Sequence, residues 1–190
     1  MYLNSIQIEN YAFGNSSFAF KNVDLKFERD LVPSIFPLGG SQGCGKSTLL
    51  RIVYDKLTTD SIYLADGLNL QVDDTDKGGV YLIAQDLGEG VFRLYGDGNS
   101  CTFAELNRSN HQKIIGSLVQ QRIDSLLTYI ADIEDSIIFL DNPDLGLHPD
   151  QQYALCGDIA SLKTSNQFIV ATHSFEFCNA LTPRHVKELK

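Results

Sequence analysis

Between an apolar segment and a helical pattern, the chain reads Gly40-Ser41-Gln42-Gly43-Cys44-Gly45-Lys46-Ser47. The apolar segment is Ser34–Leu38, and the helical pattern covers Lys46–Lys56. These eight residues satisfy the motif G-x-x-x-x-G-K-[ST], which carries weight only where a strand precedes it and a helix follows it. Because both flanks are present, the sequence predicts a phosphate-binding loop inside an α/β fold.

The composition of this loop suits the binding of a nucleotide triphosphate. Glycines allow the backbone to curl so that successive N–H groups point at phosphate oxygens, and the helix that follows adds its positive N-terminal dipole. Lys46 supplies a positive charge, and the Ser47 hydroxyl is a ligand that suits Mg²⁺. We therefore expect ATP with Mg²⁺ as the ligands, held by Gly40, Ser41, Gln42, Gly43, Cys44, Gly45, Lys46, Ser47 and Thr48.

Strand and helix patterns alternate through the rest of the chain, as in a parallel core sheet flanked by helices. The apolar strand candidates are Ser34–Leu38, Gly79–Ala84, Ser136–Leu140 and Gln167–Ala171. The helical patterns cover Lys46–Lys56, Asn110–Ile133 and Asp150–Leu162. Before them, Ser5–Asn10 and Val23–Phe27 alternate apolar and polar residues, which predicts a small N-terminal antiparallel β-subdomain.

Size and composition favour one ordinary cytosolic domain. The 190 residues are enough for a single hydrophobic core, so we expect one domain over residues 1–190. A formal net charge of −9 disfavours nucleic acid and anionic membranes as direct partners. The N-terminus has no secretory pattern and no apolar run is long enough to span a bilayer, so we expect a cytoplasmic protein without direct membrane insertion. The four scattered cysteines are expected to be free thiols.

A second phosphate-site element is predicted at the end of another buried strand. The segment Ser136–Asp141 is apolar up to its final carboxylate, which is the Walker B pattern. Next to a phosphate-binding loop, Asp141 is expected to hold a water molecule of the magnesium shell.

The segment that follows resembles a known family. Residues Asp141–Pro149 read D-N-P-D-L-G-L-H-P, which is similar to the D-E-P-E-x-G-L-H-P segment of ABC-type ATPases of the RecF, SMC and OLD-like branch. In the same order as in that family, Gln85 resembles the Q-loop glutamine and His173 the switch histidine. The resemblance implies that Gln85 senses Mg²⁺ and the attacking water and that His173 contacts the γ-phosphate. The resemblance also implies that the metal ion is bound by Ser47, Asp141 and Gln85.

The signature segment of this family is degenerate in the chain. Leu106–Gln112 gives the best match to L-S-x-G-x-x-Q, with Ser109 where the family has glycine. Ser109 and Gln112 form a capping-box pattern that would start a helix there, whereas Thr102–Glu105 offers a competing, earlier start. The resemblance implies that two protomers face head to tail, so that Ser109 of each completes the γ-phosphate site of the other.

Asn142 is the most consequential departure from the family pattern. It stands where the family usually has the glutamate that polarises the attacking water, and an amide cannot accept a proton. Losing a positioned general base costs roughly 10²–10⁴ in rate. We therefore expect slow hydrolysis, with Lys46, Asp141, Asn142, Gln85 and His173 as the catalytic residues. Asp144 is an alternative source of the missing carboxylate, and a carboxylate from a partner is another.

Other departures narrow the function. Only about twenty residues separate Gln85 from the signature candidate, which leaves no room for the helical subdomain that docks transporter ATPases on membrane subunits. No heptad pattern supports a coiled coil. The leading hypothesis is an ATPase subunit that switches a homodimer or a hetero-complex with a separately encoded effector, with nucleic acid reached only through that partner. The alternatives are a hydrolysis-deficient assembly switch and, less favoured, a transporter ATPase.

Overall fold

The computed structural model describes residues 1–12, 19–29, 33–58, 67–73, 78–86, 91–96, 99–102, 118–162, 164–181 and 187–189. Strands and helices alternate through most of this part of the chain. The strands are β1 (Tyr2–Ala12), β2 (Ala19–Lys26), β3 (Ser34–Gly39), β4 (Leu68–Asp73), β5 (Val80–Asp86), β6 (Val91–Gly96), β7 (Asn99–Thr102), β8 (Ile137–Asp141), β9 (Gln167–Ala171) and β10 (Lys187–Glu188). The helices are α1 (Lys46–Thr58), α2 (Leu118–Ala131), α3 (Pro149–Ser161) and α4 (Phe175–Leu181).

A seven-stranded sheet forms the centre of the molecule, in the order β10-β3-β9-β8-β5-β6-β7. The first five strands in that order are parallel, and β6 and β7 continue the sheet as antiparallel strands. Strands β3, β8 and β9 are buried along nearly their whole length, as parallel strands covered on both faces require. The predicted α/β class with a parallel core sheet is confirmed.

The register of the parallel strands places several strand ends at one edge of the sheet. Ala171 of β9 pairs with both Leu38 of β3 and Asp141 of β8, and Asp141 pairs with Ala84 of β5. In an open α/β sheet, ligands bind outside the carboxyl ends of the strands. This edge is therefore where a functional site is expected.

A separate three-stranded antiparallel sheet, in the order β2-β1-β4, packs against the core. The N-terminal antiparallel subdomain is thus present, with β4 as a third strand that the sequence analysis did not predict, although Leu68, Leu70 and Val72 alternate with polar residues. The buried Gln167 side chain ties this sheet to β9. Its oxygen accepts from Leu3 N at 2.7 Å and its nitrogen donates to Leu3 O at 2.8 Å, so it continues the hydrogen bonding of strand β1.

Two apolar clusters cover the two faces of the core sheet. One contains α1 residues and the antiparallel sheet, including Leu49, Leu50 and Val53. The other holds apolar residues of α2, α3 and α4. Within the predicted long helix, Ile123, Leu126 and Ile130 are buried, which confirms this part of its apolar stripe as core. The first residues of that predicted helix, 110–117, lie outside the described residues.

Helix α3 begins at the end of the D-N-P-D-L-G-L-H-P segment, where neighbouring residues cap its N-terminus. His148 caps it, because its side chain accepts a hydrogen bond from Asp150 N, and the Gln151 side chain accepts one from the His148 backbone N–H at 3.1 Å. Pro149 occupies the first helical turn, where it loses no hydrogen bond. The family-like segment is therefore a turn that leads directly into a capped helix.

Candidate active site

The phosphate-binding loop lies between β3 and α1, at the sheet edge where the strand ends align. Gly40, Gly43 and Gly45 all have positive φ angles, of 136°, 80° and 95°, which side chains other than glycine rarely adopt. At Gly40 the space is also closed, because a Cβ atom would lie 2.5 Å from the Leu189 carbonyl oxygen. The loop therefore requires its glycines both for curvature and for close approach of the backbone.

Lys46 is folded back onto the loop. Its side chain is buried, and Nζ donates to Gly40 O at 2.8 Å and to Ser41 O at 3.1 Å, with Cys44 Sγ at 3.6 Å. These carbonyls hold the ammonium group at the place where phosphate oxygens would compete for it. Lys46 is thus positioned to exchange neutral acceptors for charged ones, which form stronger hydrogen bonds.

His173 lies across the loop from the β9 side. Its Nδ1 is 3.2 Å from Lys46 Nζ although the two residues are 127 positions apart in sequence. The two side chains border a cavity of about 230 Å³ that is lined by Gly43, Gly45, Lys46, Ser47, Thr48 and His173. The structure therefore brings the predicted switch histidine to the predicted phosphate site.

Ser47 and Asp141 meet on the other side of Lys46. The Ser47 hydroxyl donates to Asp141 Oδ1 at 2.8 Å. Burial raises the pKa of Asp141, while the Ser47 hydrogen bond and the charges of His173, Lys46 and Arg51 act in the opposite direction.

These groups fit Mg²⁺. The ion prefers oxygen ligands and usually takes one or two carboxylates together with substrate phosphates. A hydroxyl and a carboxylate next to a phosphate loop supply that donor set. Among the described residues, no group of three or more His, Cys, Asp or Glu side chains is placed so that it could hold a metal ion.

Asn142 follows Asp141 in an unusual backbone conformation. Its φ angle is 52°, in the left-handed region that asparagine tolerates better than most residues. Its side-chain Nδ2 donates to Asp141 Oδ1 at 3.0 Å, so Asp141 Oδ1 accepts from both Ser47 and Asn142. The amide therefore orients the metal-binding carboxylate, and it supplies no group that could take a proton from water.

Asp144 points into the interior. It is 6% exposed, and its Oδ2 accepts from the Thr172 hydroxyl at 2.8 Å. The other oxygen, Oδ1, is buried without a hydrogen-bond partner, and burial raises the pKa of this carboxyl. Thr172 in turn accepts from Ser174 N at 2.9 Å, so Asp144 supports the turn that carries His173. This arrangement suits a structural group better than a base facing the cavity.

Gln85 lies beside this turn, because β5 and β8 are neighbours in the sheet. In the amide orientation that satisfies both of its ends, its nitrogen donates to Asn142 O at 3.0 Å and its oxygen accepts from Arg122 Nη1 at 2.9 Å. Arg122 Nη2 also donates to Leu145 O at 3.0 Å. One guanidinium group of α2 thus contacts both the end of β5 and the turn that follows β8.

The structure gathers most of the predicted site residues at this edge. Gly40, Gly43, Gly45, Lys46, Ser47, Thr48, Asp141 and His173 surround the cavity or contact each other, with Gln85 and Asn142 directly behind Asp141. Ser41, Gln42 and Cys44 complete the loop, and Ser109 lies outside the described residues. The sequence analysis missed Arg122, which belongs to no motif, and Thr172, which directly precedes His173.

The cysteines and the helix lengths complete the description of these residues. Among the cysteines whose side chains are described, Cys44, Cys156 and Cys178 form no disulfide bond. Burial raises the pKa of Cys156 to about 12, so this thiol stays protonated at neutral pH. None of the helices in the described ranges has the length and apolar character needed to cross a membrane.

Comparison with known proteins gives one family match. Residues 114–179, which are less than half of the chain, match a family model described as "AAA domain, putative AbiEii toxin, Type IV TA system". A search of curated protein sequences finds no match.

Solved structures give clearer similarity at the level of the fold. A nucleotide-free ATP-binding cassette from an ABC transporter is similar with a TM-score of 0.50 and 14% identity, over 96% of this chain and 85% of that one. The SMC head domain from Thermotoga maritima has a TM-score of 0.47 at 14% identity, with 96% and 93% covered. An SMC head bound to the C-terminal winged-helix domain of ScpA has a TM-score of 0.44 at 10% identity, with 95% and 92% covered.

The first of these likenesses agrees with the order of motifs along the chain, from the phosphate loop through Gln85 and Asp141 to His173. At this identity the likeness concerns architecture. The chain has the fold of an ATP-binding cassette, and the resemblance to ABC-type P-loop ATPases that its sequence predicts is confirmed.

Proposed function

We propose that the chain binds ATP with Mg²⁺ at Gly40–Ser47 and hydrolyses it slowly. The observation that supports this most directly is the convergence of Lys46, Ser47 and His173 on one cavity, with the Ser47 hydroxyl hydrogen-bonded to Asp141 at 2.8 Å. These residue types are the ones that neutralise and orient a triphosphate, and phosphoryl transfer depends chiefly on such positioning and charge.

Each residue has a distinct task in this proposal. Lys46 leaves the Gly40 and Ser41 carbonyls for the phosphate oxygens, and His173 approaches the terminal phosphate from β9. Ser47, Asp141 and Gln85 would hold Mg²⁺, which would neutralise the negative charge that develops during phosphoryl transfer. Asn142 keeps Asp141 oriented and positions water without taking its proton, which accounts for slow turnover.

The proposed role of the cycle is to switch an assembly. ATP closes a homodimer or a hetero-complex with a separately encoded effector, and hydrolysis opens it. Ser109 is proposed to complete the γ-phosphate site of a partner subunit, in keeping with the family resemblance. We place the chain with cytoplasmic ATPase subunits of repair, antiphage-defence or mobile-element systems, where nucleic acid is reached through a partner.

A second candidate is a hydrolysis-deficient assembly switch, in which bound ATP stays intact. The environment of Asn142 and Asp144 favours it, because the first is an amide and the second is buried against Thr172. A transporter ATPase subunit is the least favoured function. The segment between Gln85 and the signature candidate Leu106–Gln112 is short, and strands β6 and β7 occupy part of it.

Phosphate release and light scattering with purified protein test these alternatives together. We expect wild type to bind a fluorescent ATP analogue, associate, and release phosphate slowly. Lys46→Ala should abolish binding, and Lys26→Ala, at an exposed lysine of β2, should not. If the wild-type protein binds the analogue and associates but releases no phosphate in a single turnover, the assembly switch is the correct function and the ATPase is not. Wild type that binds no nucleotide would refute both.

A further inference from the structure

Arg122 occupies a position that the proposed reaction does not by itself explain. It lies on α2, whose Ile123, Leu126 and Ile130 are buried in the second apolar cluster. The helix backbone is therefore fixed to the core, while the Arg122 side chain reaches Gln85 near the end of β5 and Leu145 in the turn after β8. This places a cation from α2 between strand β5 and the turn that follows Asp141.

The two arms of the guanidinium group bind two different segments, strand β5 and the turn after β8. Nη1 donates to the Gln85 side-chain oxygen at 2.9 Å, and Nη2 donates to the Leu145 carbonyl at 3.0 Å. Burial lowers the pKa of Arg122, but arginine remains charged because its ordinary pKa is so high. A planar fork with several donors can span two acceptors in this way, whereas a lysine offers a single point charge.

The contact with Gln85 involves the same atom that the proposed metal site needs. An amide nitrogen carries no available lone pair, so Gln85 can approach Mg²⁺ only through its oxygen. If the oxygen held Mg²⁺ and Arg122 at once, the two cations would lie on the order of 5 Å apart and repel each other. The amide nitrogen is meanwhile committed to Asn142 O at 3.0 Å, which fixes the direction of the oxygen toward Arg122.

We infer that Arg122 is a positioning residue that competes with Mg²⁺ for the side-chain oxygen of Gln85. In the structure described here, Arg122 holds that oxygen away from the metal site. If Mg²⁺ took this oxygen, the hydrogen bond from Arg122 Nη1 to Gln85 would be lost, whereas the one from Nη2 to Leu145 O would remain. Occupancy of the site is thereby transmitted to α2, the helix that follows the predicted signature segment. This inference rests on the proposed ATP and Mg²⁺ site.

The test is a titration of Mg²⁺ against a fluorescent ATP analogue, with the Mg²⁺ midpoint of the binding signal as the readout. Arg122→Met removes the competitor and should lower the midpoint about tenfold, the size expected for loss of a charge-assisted hydrogen bond. Arg122→Lys keeps the charge without the fork and should give an intermediate midpoint. Arg29→Met is the matched control, since Arg29 stacks on Tyr2 in another part of the molecule, and should not change the midpoint.

The decisive comparison makes the same Arg122→Met substitution in a protein that lacks the side-chain oxygen of Gln85. In a Gln85→Met background, Arg122→Met should leave the Mg²⁺ midpoint unchanged, because nothing remains to compete for. An unchanged or raised midpoint in the Gln85 background overturns the inference, as does an equal shift in both backgrounds. A merely structural Arg122 would lower the melting temperature without lowering the midpoint. If Arg122→Met fails to fold, Arg122→Lys in both backgrounds completes the same cycle.

The outcomes also separate this inference from the proposed function. Wild type that binds the analogue with Mg²⁺ but shows no dependence on Arg122 overturns the competition alone. Wild type that binds no nucleotide overturns the proposed function, and the competition falls with it.

Discussion

Ser47 Oγ lies 2.8 Å from Asp141 Oδ1, and this hydrogen bond joins the first turn of α1 directly to the end of β8. The same carboxylate oxygen accepts from Asn142 Nδ2 at 3.0 Å. The Asp141 carboxylate, which is proposed to bind the metal, is thus oriented by two neutral donors, one of which stands where the ABC-type ATPases that the sequence resembles have a glutamate. Because of these two contacts, substitutions at residue 142 are the most direct test of what limits the rate of ATP hydrolysis.

Asn142→Glu should accelerate phosphate release. A glutamate supplies the missing proton acceptor, and a positioned general base is worth roughly 10²–10⁴ in rate. Single-turnover phosphate release measures the effect. Asn142→Gln is the matched control, because it has the length of glutamate without the charge, and it should stay slow. Equal rates for the two variants would show that residue 142 does not set the rate.

The same substitution should lower stability. Asn142 has a φ angle of 52°, which costs a residue such as glutamate about 1 kcal/mol more than asparagine, and the new carboxylate would lie beside Asp141. Both Asn142→Glu and Asn142→Gln carry the backbone cost, so thermal unfolding of the pair isolates the charge effect. An Asn142→Glu melting temperature equal to that of Asn142→Gln would contradict the expected repulsion.

Asp144→Asn should change the pH dependence of stability. Burial raises the folded-state pKa of Asp144, so the folded protein binds its proton more tightly than the unfolded chain does. The stability that Asp144 contributes is full below its unfolded pKa and is lost as the pH rises through its folded pKa. The melting temperature of Asp144→Asn minus that of wild type should therefore be larger at pH 8 than at pH 4. A difference that is constant across this range would contradict the burial of a charged carboxylate.

Gln167→Leu should weaken the attachment of the antiparallel sheet. It removes both hydrogen bonds to Leu3 and leaves a buried backbone N–H and C=O unpaired, which costs about 2–4 kcal/mol in the free energy of unfolding. Urea denaturation measures this loss. Gln7→Leu is the control, because Gln7 is exposed and its side chain makes only a long contact with Asp24, at 3.4 Å. Similar losses for the two variants would argue against a special role for Gln167.

Gly40→Ala should abolish nucleotide binding. Its φ angle is 136°, and the added methyl group would meet Leu189 O at 2.5 Å and Cys44 Sγ at 2.9 Å, so the loop would have to move. Gly157→Ala is the control, because Gly157 lies within α3 with open space around it. That change should instead stabilise the protein by about 0.5–1 kcal/mol. A titration with a fluorescent ATP analogue, together with thermal unfolding, distinguishes the two results.

The sequence was sufficient to predict the parallel core and the ends of its strands. Apolar runs such as Ile137–Leu140 and Phe168–Ala171 mark strands buried on both faces, and polar residues directly after them fall at one edge of the sheet. The strand pattern therefore predicted Asp141 next to the phosphate loop, whereas the prediction for His173 came from the family resemblance.

The missed elements had weaker or purely tertiary signals. Strand β4 is short and half exposed, so its alternation of apolar and polar residues competes with loop patterns. The burial of Asp144 depends on its contact with Thr172, which lies 28 positions away. Arg122 reads from the sequence as an ordinary polar residue between apolar helix positions, and only the packing of α2 shows which loops it reaches.

Strand β3 has consequences for synthesis as well as for binding. It precedes the phosphate loop, yet both of its neighbours in the sheet, β9 and β10, come from the last part of the described chain. Leu189 N donates to Gly39 O at 3.1 Å beside the first glycine of the loop. On the ribosome, Ile35, Phe36 and Leu38 therefore have no strand partners until β9 has been synthesised. Until then β3 is an apolar segment without its neighbours in the sheet, which is the kind of segment that chaperones bind.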